Sequence, residues 1–315
     1  MSDMERPEAD RGRRRGAMAR IGVALLNVLG TGLGLLRLSR PRAWLGYVLL
    51  QAVVTAIFIA TVMLVRNISF AGFAILAGIT LFSSTAIWLG AVVQSWRSSA
   101  SIDPAPPWYS RWYGILLAWV VLGAISYPLP DLARHWYRSF YAPSESMSPT
   151  VLKGDYFLVD MHIADDLKRG DVVIVRTGKV EYIKRIAALP GDTFAMRGGV
   201  PVINGQPVGQ TAPRSIMVDD FGVGPIEARV LREQLPGEAR AHEVIDMGYS
   251  DYDDTPEVRL GKDEYFLLGD NRDRSADSRA SAATFGLGVV DRARITGRVL
   301  FIFWRHGSGL GKITL

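Results

Sequence analysis

The sequence predicts a chain of two unlike parts. An N-terminal α-helical membrane region with several spans precedes a mostly β domain that lies outside the cytoplasm. Three observations carry this reading. Charge is absent from residues 21–36, 43–65, 67–96 and 112–130, and returns at ordinary globular density from Asp131. The uncharged stretches are apolar, in a chain that is 49% hydrophobic and 21% charged, with a mean hydropathy of +0.14. Beyond Asp131 the apolar residues fall into short runs bounded by Gly and Asp, with no long amphipathic helix between them. The length of 315 residues suits about two domains.

Residues 1–20 carry six Arg, four of them within Arg11–Arg15, and are expected to form a basic cytoplasmic tail. A run of this kind ahead of apolar segments sets membrane topology. No aromatic pattern or fold signal supports nucleic acid as a partner. The membrane region is expected over residues 21–131. A helix needs about 20 apolar residues to cross the ~30 Å hydrocarbon core, and spans at about 43–65 and 68–96 meet that length. A third, about 112–130, is shorter in its apolar part, but Trp108, Tyr109, Trp112 and Tyr113 at its start resemble an interfacial belt. Residues 21–37 are shorter still and carry Gly30, Gly32 and Gly34, so an interfacial or re-entrant helix is expected there. This glycine run is not a dinucleotide fingerprint, because no strand precedes it and no acidic residue follows at the required distance.

Positive charge sets the orientation. Arg11–Arg20 and the cluster Arg37, Arg40 and Arg42 both belong in the cytoplasm, which requires that residues 21–37 do not cross. Three crossings follow: out at Arg66–Asn67, back at the Arg97–Arg111 loop, and out again after Pro130. The N-terminus is not expected to be a cleavable leader, since its apolar stretch runs into Arg37-Leu-Ser-Arg40 without a small-residue cleavage pattern.

The domain expected over residues 132–315 reads as strands at Tyr156–Val159, Asp171–Val175, Tyr265–Leu268 and Val299–Trp304. Asn204-Gly205 between apolar residues is a strong hairpin signal. Residues 193–260 are expected to contain a looser insertion, because 209–260 are rich in Pro, Gly and charge. The chain has no Cys, which excludes disulfides, Cys-ligated metals and a thiol nucleophile. His135, His162, His242 and His306 lack metal-ligand spacing, so neither a metal nor a cofactor is expected.

Three polar segments remain: Pro143–Thr150 (Pro-Ser-Glu-Ser-Met-Ser-Pro-Thr), Glu181–Asp192 with Tyr-Ile-Lys-Arg and Leu-Pro-Gly-Asp, and Gly269–Arg279 (Gly-Asp-Asn-Arg-Asp-Arg-Ser-Ala-Asp-Ser-Arg). Singly, each suits a turn, a solvated strand face or a polar loop. Together and in this order, after apolar segments, they resemble the bacterial type I signal peptidases, membrane-anchored serine proteases with a Ser/Lys dyad. The resemblance covers about 140–192 and 262–304.

The resemblance implies a signal-peptidase-like β fold and assigns roles. Ser146 is the nucleophile and Lys184 the general base. Ser144, with the Ser146 backbone N–H, binds the oxyanion. Ser275 orients the lysine, Asp277 and Arg279 form a supporting ion pair, and Asp270 and Asn271 shape the site. The chemistry is sound on its own terms. A serine hydroxyl needs a nearby base, and a lysine serves as one only when burial lowers its pKa. The implied partners are exported preproteins with small residues at −1 and −3, the lipid bilayer and, further, the secretion machinery. The implied location is the bacterial cytoplasmic membrane, multi-pass, with a periplasmic catalytic domain.

Two departures from the family pattern are the five residues Ala280–Thr284 and the large membrane region. About 15 residues separate Pro130 from Ser146, and Trp136, Tyr137, Phe140 and Tyr141 lie between them, so the site is expected at the outer membrane surface. Two rival readings have counterarguments in the sequence. A regulatory protein of the same fold that binds exported chains is disfavoured by the presence of Ser146, Lys184, Ser144 and Ser275 together. A soluble self-cleaving Ser/Lys repressor is disfavoured by the apolar spans and the lack of a helix-turn-helix pattern.

Overall fold

Apolar runs of helical length form helices in the first part of the chain, and short β-rich runs form sheets in the second. The computed structural model describes residues 5–64, 70–99, 105–127, 135–163, 166–220, 224–248, 250–309 and 313–314. It divides into two units, Met1–Ala133 and Arg134–Leu315.

The first unit holds α1 (Glu5–Leu29), α2 (Leu33–Arg37), α3 (Pro41–Leu64), α4 (Phe70–Ser98) and α5 (Trp112–Ser126). The single helix expected over 21–37 is two. Helix α1 already begins at Glu5, inside the segment expected as a tail, and stops before Gly30. Gly32 takes φ +80°, a left-handed conformation that glycine adopts without a Cβ penalty. Helix α2 then lies buried within the unit: Leu33, Leu36 and Ile115 form a core with Leu26, Trp44, Tyr109 and Ala118 around them. Gly34 allows this close packing, since a Cβ there would run into the Val23 carbonyl, the Asn27 amide and the Ser95 hydroxyl. Asn27 Nδ2 donates to Ser95 Oγ at 3.2 Å, tying α1 to α4.

Pro41 opens α3, where its missing N–H costs no helical bond. Helices α3 and α4 are joined by Gln51 Nε2 donating to Ser84 Oγ at 2.9 Å. Residues Pro41–Val62 and Ala71–Ser98 are long and apolar enough to cross a membrane, by length and composition. Helix α5 runs for 15 residues. The end of the expected third span at 128–130, the boundary at Asp131 and the turn at Arg66–Asn67 lie outside the described residues, as do residues 100–104 of the Arg97–Arg111 loop.

The second unit is mostly β. Its strands are β1 (Tyr137–Tyr141), β2 (Tyr156–Asp160), β3 (Val172–Thr177), β4 (Val180–Ala188), β5 (Thr193–Arg197), β6 (Val200–Ile203), β7 (Gln206–Pro207), β8 (Gly209–Asp220), β9 (Gly224–Gln234), β10 (His242–Asp246), β11 (Val258–Arg259), β12 (Glu264–Leu268), β13 (Val290–Asp291), β14 (Ile295–Trp304) and β15 (Ile313–Thr314). The large sheet runs β1-β2-β14-β3-β4-β12-β13, with β15 beside β14. The apolar run at 299–304 thus forms part of an interior strand between β2 and β3. Asn204 and Gly205, at φ 50° and 75°, make the expected turn between β6 and β7.

The stretch expected to be a looser insertion is strand over much of its length. It forms the sheets β11-β5-β6-β7 and β10-β9-β8. Phe194, Met196 and Ile203 from this stretch are buried in one core with Ala188, Phe266 and Leu268. Phe194 stacks on Phe266 at 4.0 Å between ring centroids. Burying each such side chain contributes about 1.5–3 kcal/mol, enough to hold a segment whose polar composition reads as loop. Phe140, expected among boundary aromatics, instead stacks on Phe157 and packs against a buried cluster with Met147 and Ile302. Tyr141 is exposed.

Candidate active site

The turn after β1 carries Ser146. Its side chain is buried beside Met147, which belongs to the core under the large sheet. Lys184 sits in the middle of β4, paired with Val173 of β3, and is 2% exposed. The two residues meet: Lys184 Nζ is 3.0 Å from Ser146 Oγ and donates to the Ile183 carbonyl at 2.8 Å. Ser144 Oγ donates to Ser146 Oγ at 3.4 Å. The Ser146 backbone N–H makes no hydrogen bond among the described residues, so it is open to an incoming acceptor.

Residues 269–279 clamp this turn. The Asn271 backbone N–H donates to the Ser146 carbonyl at 3.2 Å. Gly269 passes so close that a Cβ would meet Ser275 and the Ser146 carbonyl. Asp277 accepts from Arg279 Nε and Nη2 at 2.9 Å each, and from the Gly269 backbone N–H at 3.0 Å. Asp270 accepts from Arg185 Nε at 2.8 Å and Nη2 at 2.6 Å, and from the Thr150 hydroxyl. Ser275 lies beside Gly269, but its hydroxyl is buried without a hydrogen bond, so the expected bond to Lys184 is not formed.

Electrostatics at Lys184 follow from this packing. Burial lowers its pKa from an ordinary 10.5 to about 8. The Asp277 and Asp270 carboxylates pull it back up, and the Arg279 guanidinium opposes them. Near neutral pH a useful fraction of the amine is therefore free to accept a proton. The arrangement is a serine hydroxyl held against a buried amine, with a second hydroxyl and the Ser146 backbone N–H beside it. No cluster of His, Asp or Glu suited to a metal ion occurs among the described residues.

Residues 115–304 match the family described as signal peptidase, peptidase S26. This chain belongs to that family. Signal peptidase I of Bacillus licheniformis is 30% identical over 194 residues, which span 60% of this chain and 89% of its own. Signal peptidase I T of Bacillus subtilis is 31% identical over 193 residues, 60% of this chain and 85% of its own. A solved signal peptidase I from Enterococcus faecalis covers 43% of this chain and 98% of its own, at 20% identity and a TM-score of 0.25. The chain is a serine endopeptidase of the type I signal peptidase class.

Arg185 and what lies behind it carry no role in the motifs of this signal peptidase's sequence. A Lys-Arg pair on a strand suggests a solvated face, yet both residues are buried. Arg185 Nη1 stands 3.6 Å from Glu238. His242 Nδ1 contacts the Glu238 carboxylate at 2.9 Å, and Glu233 binds Arg272 at 2.6 Å. Burial disfavours the charged imidazole of His242, but Glu233 and Glu238 outweigh it and raise the pKa. A buried ionic network thus backs the site. Its only signal in the sequence was the density of acidic and basic residues in a segment already read as loose.

The Lys184 pKa gives a testable profile. Below about pH 8 the free amine falls tenfold per pH unit. The processing rate at limiting substrate should climb with that slope toward pH 8 and level off above it. A flat profile between pH 6 and pH 8 in a cleavage assay would exclude Lys184 as the titrating base.

Proposed function

We propose that this enzyme cleaves the signal peptides of exported preproteins with Ser146 as nucleophile and neutral Lys184 as general base. The observation that carries the reading is the 3.0 Å approach of Lys184 Nζ to Ser146 Oγ at a buried lysine. As Ser146 Oγ bonds to the scissile carbonyl carbon, its proton passes to Lys184 Nζ. The carbonyl oxygen gains charge and accepts from the Ser146 backbone N–H and the Ser144 hydroxyl. The carbon–nitrogen bond then breaks, and Lys184 returns the proton to the leaving amine. Water, deprotonated by Lys184, releases the acyl group. Asn271 and Gly269 fix the nucleophile turn. Asp277 with Arg279, and Asp270 with Arg185, hold the strands that carry the base. Ser275, beside Gly269, is the residue assigned to orient the lysine on this reading.

The substrates on this reading carry small residues at −1 and −3, enforced by steric exclusion in shallow pockets. A preprotein series with Ala, Leu or Phe at −1, cleaved by purified protein in detergent, is the test. Ala should be cut at least about a hundredfold faster than Phe, since a clash of ~3 kcal/mol is expected in a packed pocket. Equal rates would refute the pocket assignment.

The location that fits is the bacterial cytoplasmic membrane, with spans at about 43–65, 68–96 and 112–130, the basic segment 1–20 and residues 21–37 on the cytoplasmic side, and residues 132–315 as the periplasmic catalytic domain. The secretion machinery is a further partner on this reading. Ser39 Oγ lies 3.2 Å from Ser110 Oγ, which supports a common face for the Arg37–Arg42 and Arg97–Arg111 segments. Single cysteines at residue 5, within 97–111 and near the C-terminus, treated with an impermeant thiol reagent, should report inside, inside and outside. The native chain has no Cys, so labelling is specific. A C-terminus reached only from the cytoplasm would overturn the three-span topology.

A further inference from the structure

The helical unit contains a cavity of about 880 Å³ between the α1–α2 turn and α5. That volume lies in the range of small-molecule sites, about 300–1,000 Å³. Its walls are apolar, with Leu26, Leu33, Ile115 and Trp119 among them, and two cations line it, Arg37 and Arg111. Arg37 Nη1 is buried without a hydrogen-bond partner. Among the described residues Arg111 bonds only the Pro106 carbonyl and the Tyr113 hydroxyl, at 3.3 and 3.4 Å.

Charge balance identifies what is missing. Residues 11–102 contain no Asp or Glu at all, while Arg recurs through them. Neither guanidinium has a carboxylate partner among the described residues. A buried guanidinium nitrogen with no acceptor is costly, and a group that supplies acceptor oxygens relieves it. The two arginines sit near the Ser39–Ser110 contact, at the end of the unit that carries the Arg clusters. Basic pockets between membrane helices on the cytoplasmic side take anionic headgroups.

We infer that this cavity binds one acidic glycerophospholipid, with its phosphate between Arg37 and Arg111 and an acyl chain along the Leu26, Leu33, Ile115 and Trp119 wall. The proposal goes beyond peptide cleavage and depends on none of the dyad residues. A phosphate accepts from a guanidinium through two parallel bonds, which an apolar segment of a substrate cannot do. The apolar wall, in turn, gives a free phosphate ion nothing to gain. A lipid satisfies both halves of the site.

The test is native mass spectrometry of the full chain in detergent, titrated with phosphatidylglycerol or phosphatidylcholine of the same acyl length. Wild type should retain one phosphatidylglycerol at least about tenfold more tightly than phosphatidylcholine. Arg37→Gln/Arg111→Gln should lose most of that preference. Arg40→Gln/Arg42→Gln removes the same charge from exposed positions and should keep it. Preprotein processing in detergent reports that each variant is folded, and Arg111→Gln alone, at an exposed residue, serves if the double variant is not. No preference in wild type, or an equal loss in the Arg40/Arg42 control, overturns the proposal. A synthetic signal peptide that displaces the lipid, yet binds the Arg37/Arg111 variant equally well, would reassign the cavity to substrate.

Discussion

Ser146→Ala, Lys184→Ala and Lys184→Arg are each expected to reduce preprotein processing by about 10⁴-fold or more. Nucleophile and base act as a unit, so losing either forfeits nearly the whole rate, as in other hydroxyl-nucleophile proteases. Lys184→Arg keeps the charge but not the chemistry, because a guanidinium does not deprotonate in the working range. The same lysine should weaken the fold. Its folded pKa is depressed, so the unfolded chain binds more protons between about pH 8 and 10.5, and stability rises with pH across that window. Below about pH 8 the penalty is fully present, on the order of 3 kcal/mol for this buried side chain. Lys184→Met should therefore be inactive and more stable at pH 7. Thermal unfolding beside a cleavage assay separates the two effects. Activity in Lys184→Arg within tenfold of wild type would sink the base assignment.

Asp270→Ala should cost about 3–5 kcal/mol of stability in the catalytic unit, through Arg185. The guanidinium is 5% exposed and bound through Nε and Nη2 by Asp270, so deleting the carboxylate leaves a buried charge whose remaining carboxylate contact is the longer one to Glu238. Asp270→Asn should cost less, because an amide oxygen still accepts one of the two bonds. Arg176→Ala, which breaks the exposed pair with Glu181, should change stability by no more than about 1 kcal/mol. The pH dependence has the same sign as that of Lys184 but falls in the acidic range, with stability rising as pH rises. Burial alone would raise the Asp270 carboxyl, but Arg185 outweighs it and holds the pKa below the ordinary value. Its contribution is complete above the unfolded pKa and is lost as pH falls through the lower folded one. Urea unfolding of the three variants decides the matter, and an Asp270→Ala protein within about 0.5 kcal/mol of wild type would contradict it.

What the sequence made legible was local. Ser146 and Lys184 lie 38 residues apart, and only co-linear motifs link them before folding. The Asn204-Gly205 turn declared itself because its conformation needs residues that tolerate positive φ. The strand at 299–304 did so because an interior strand is apolar on both faces. What stayed hidden depended on tertiary burial. Arg185 looks like surface until Asp270 arrives from 85 residues away. Gly30–Gly32 reads as part of one helix, because a glycine break and a glycine tolerated within a helix have the same composition. Residues 193–260 look loose because the alternation along β9 is charged on its exposed side, with Ala228, Val230 and the ion-paired Glu233 turned inward. Ser275 matched a motif, and its hydroxyl has no hydrogen-bond partner.

Strand β14 has a consequence in time. It lies between β2 and β3, so the strand that follows the Ser146 turn and the strand beside Lys184 are not joined in one sheet until the last stretch of the chain is in place. At ribosomal speeds of ~5–20 residues per second, the roughly one hundred residues between Ala188 and Ile295 keep serine and lysine apart for about 5–20 s after both have been synthesised. The sheet that carries Ser146 and Lys184 is therefore completed only once β14 has been made.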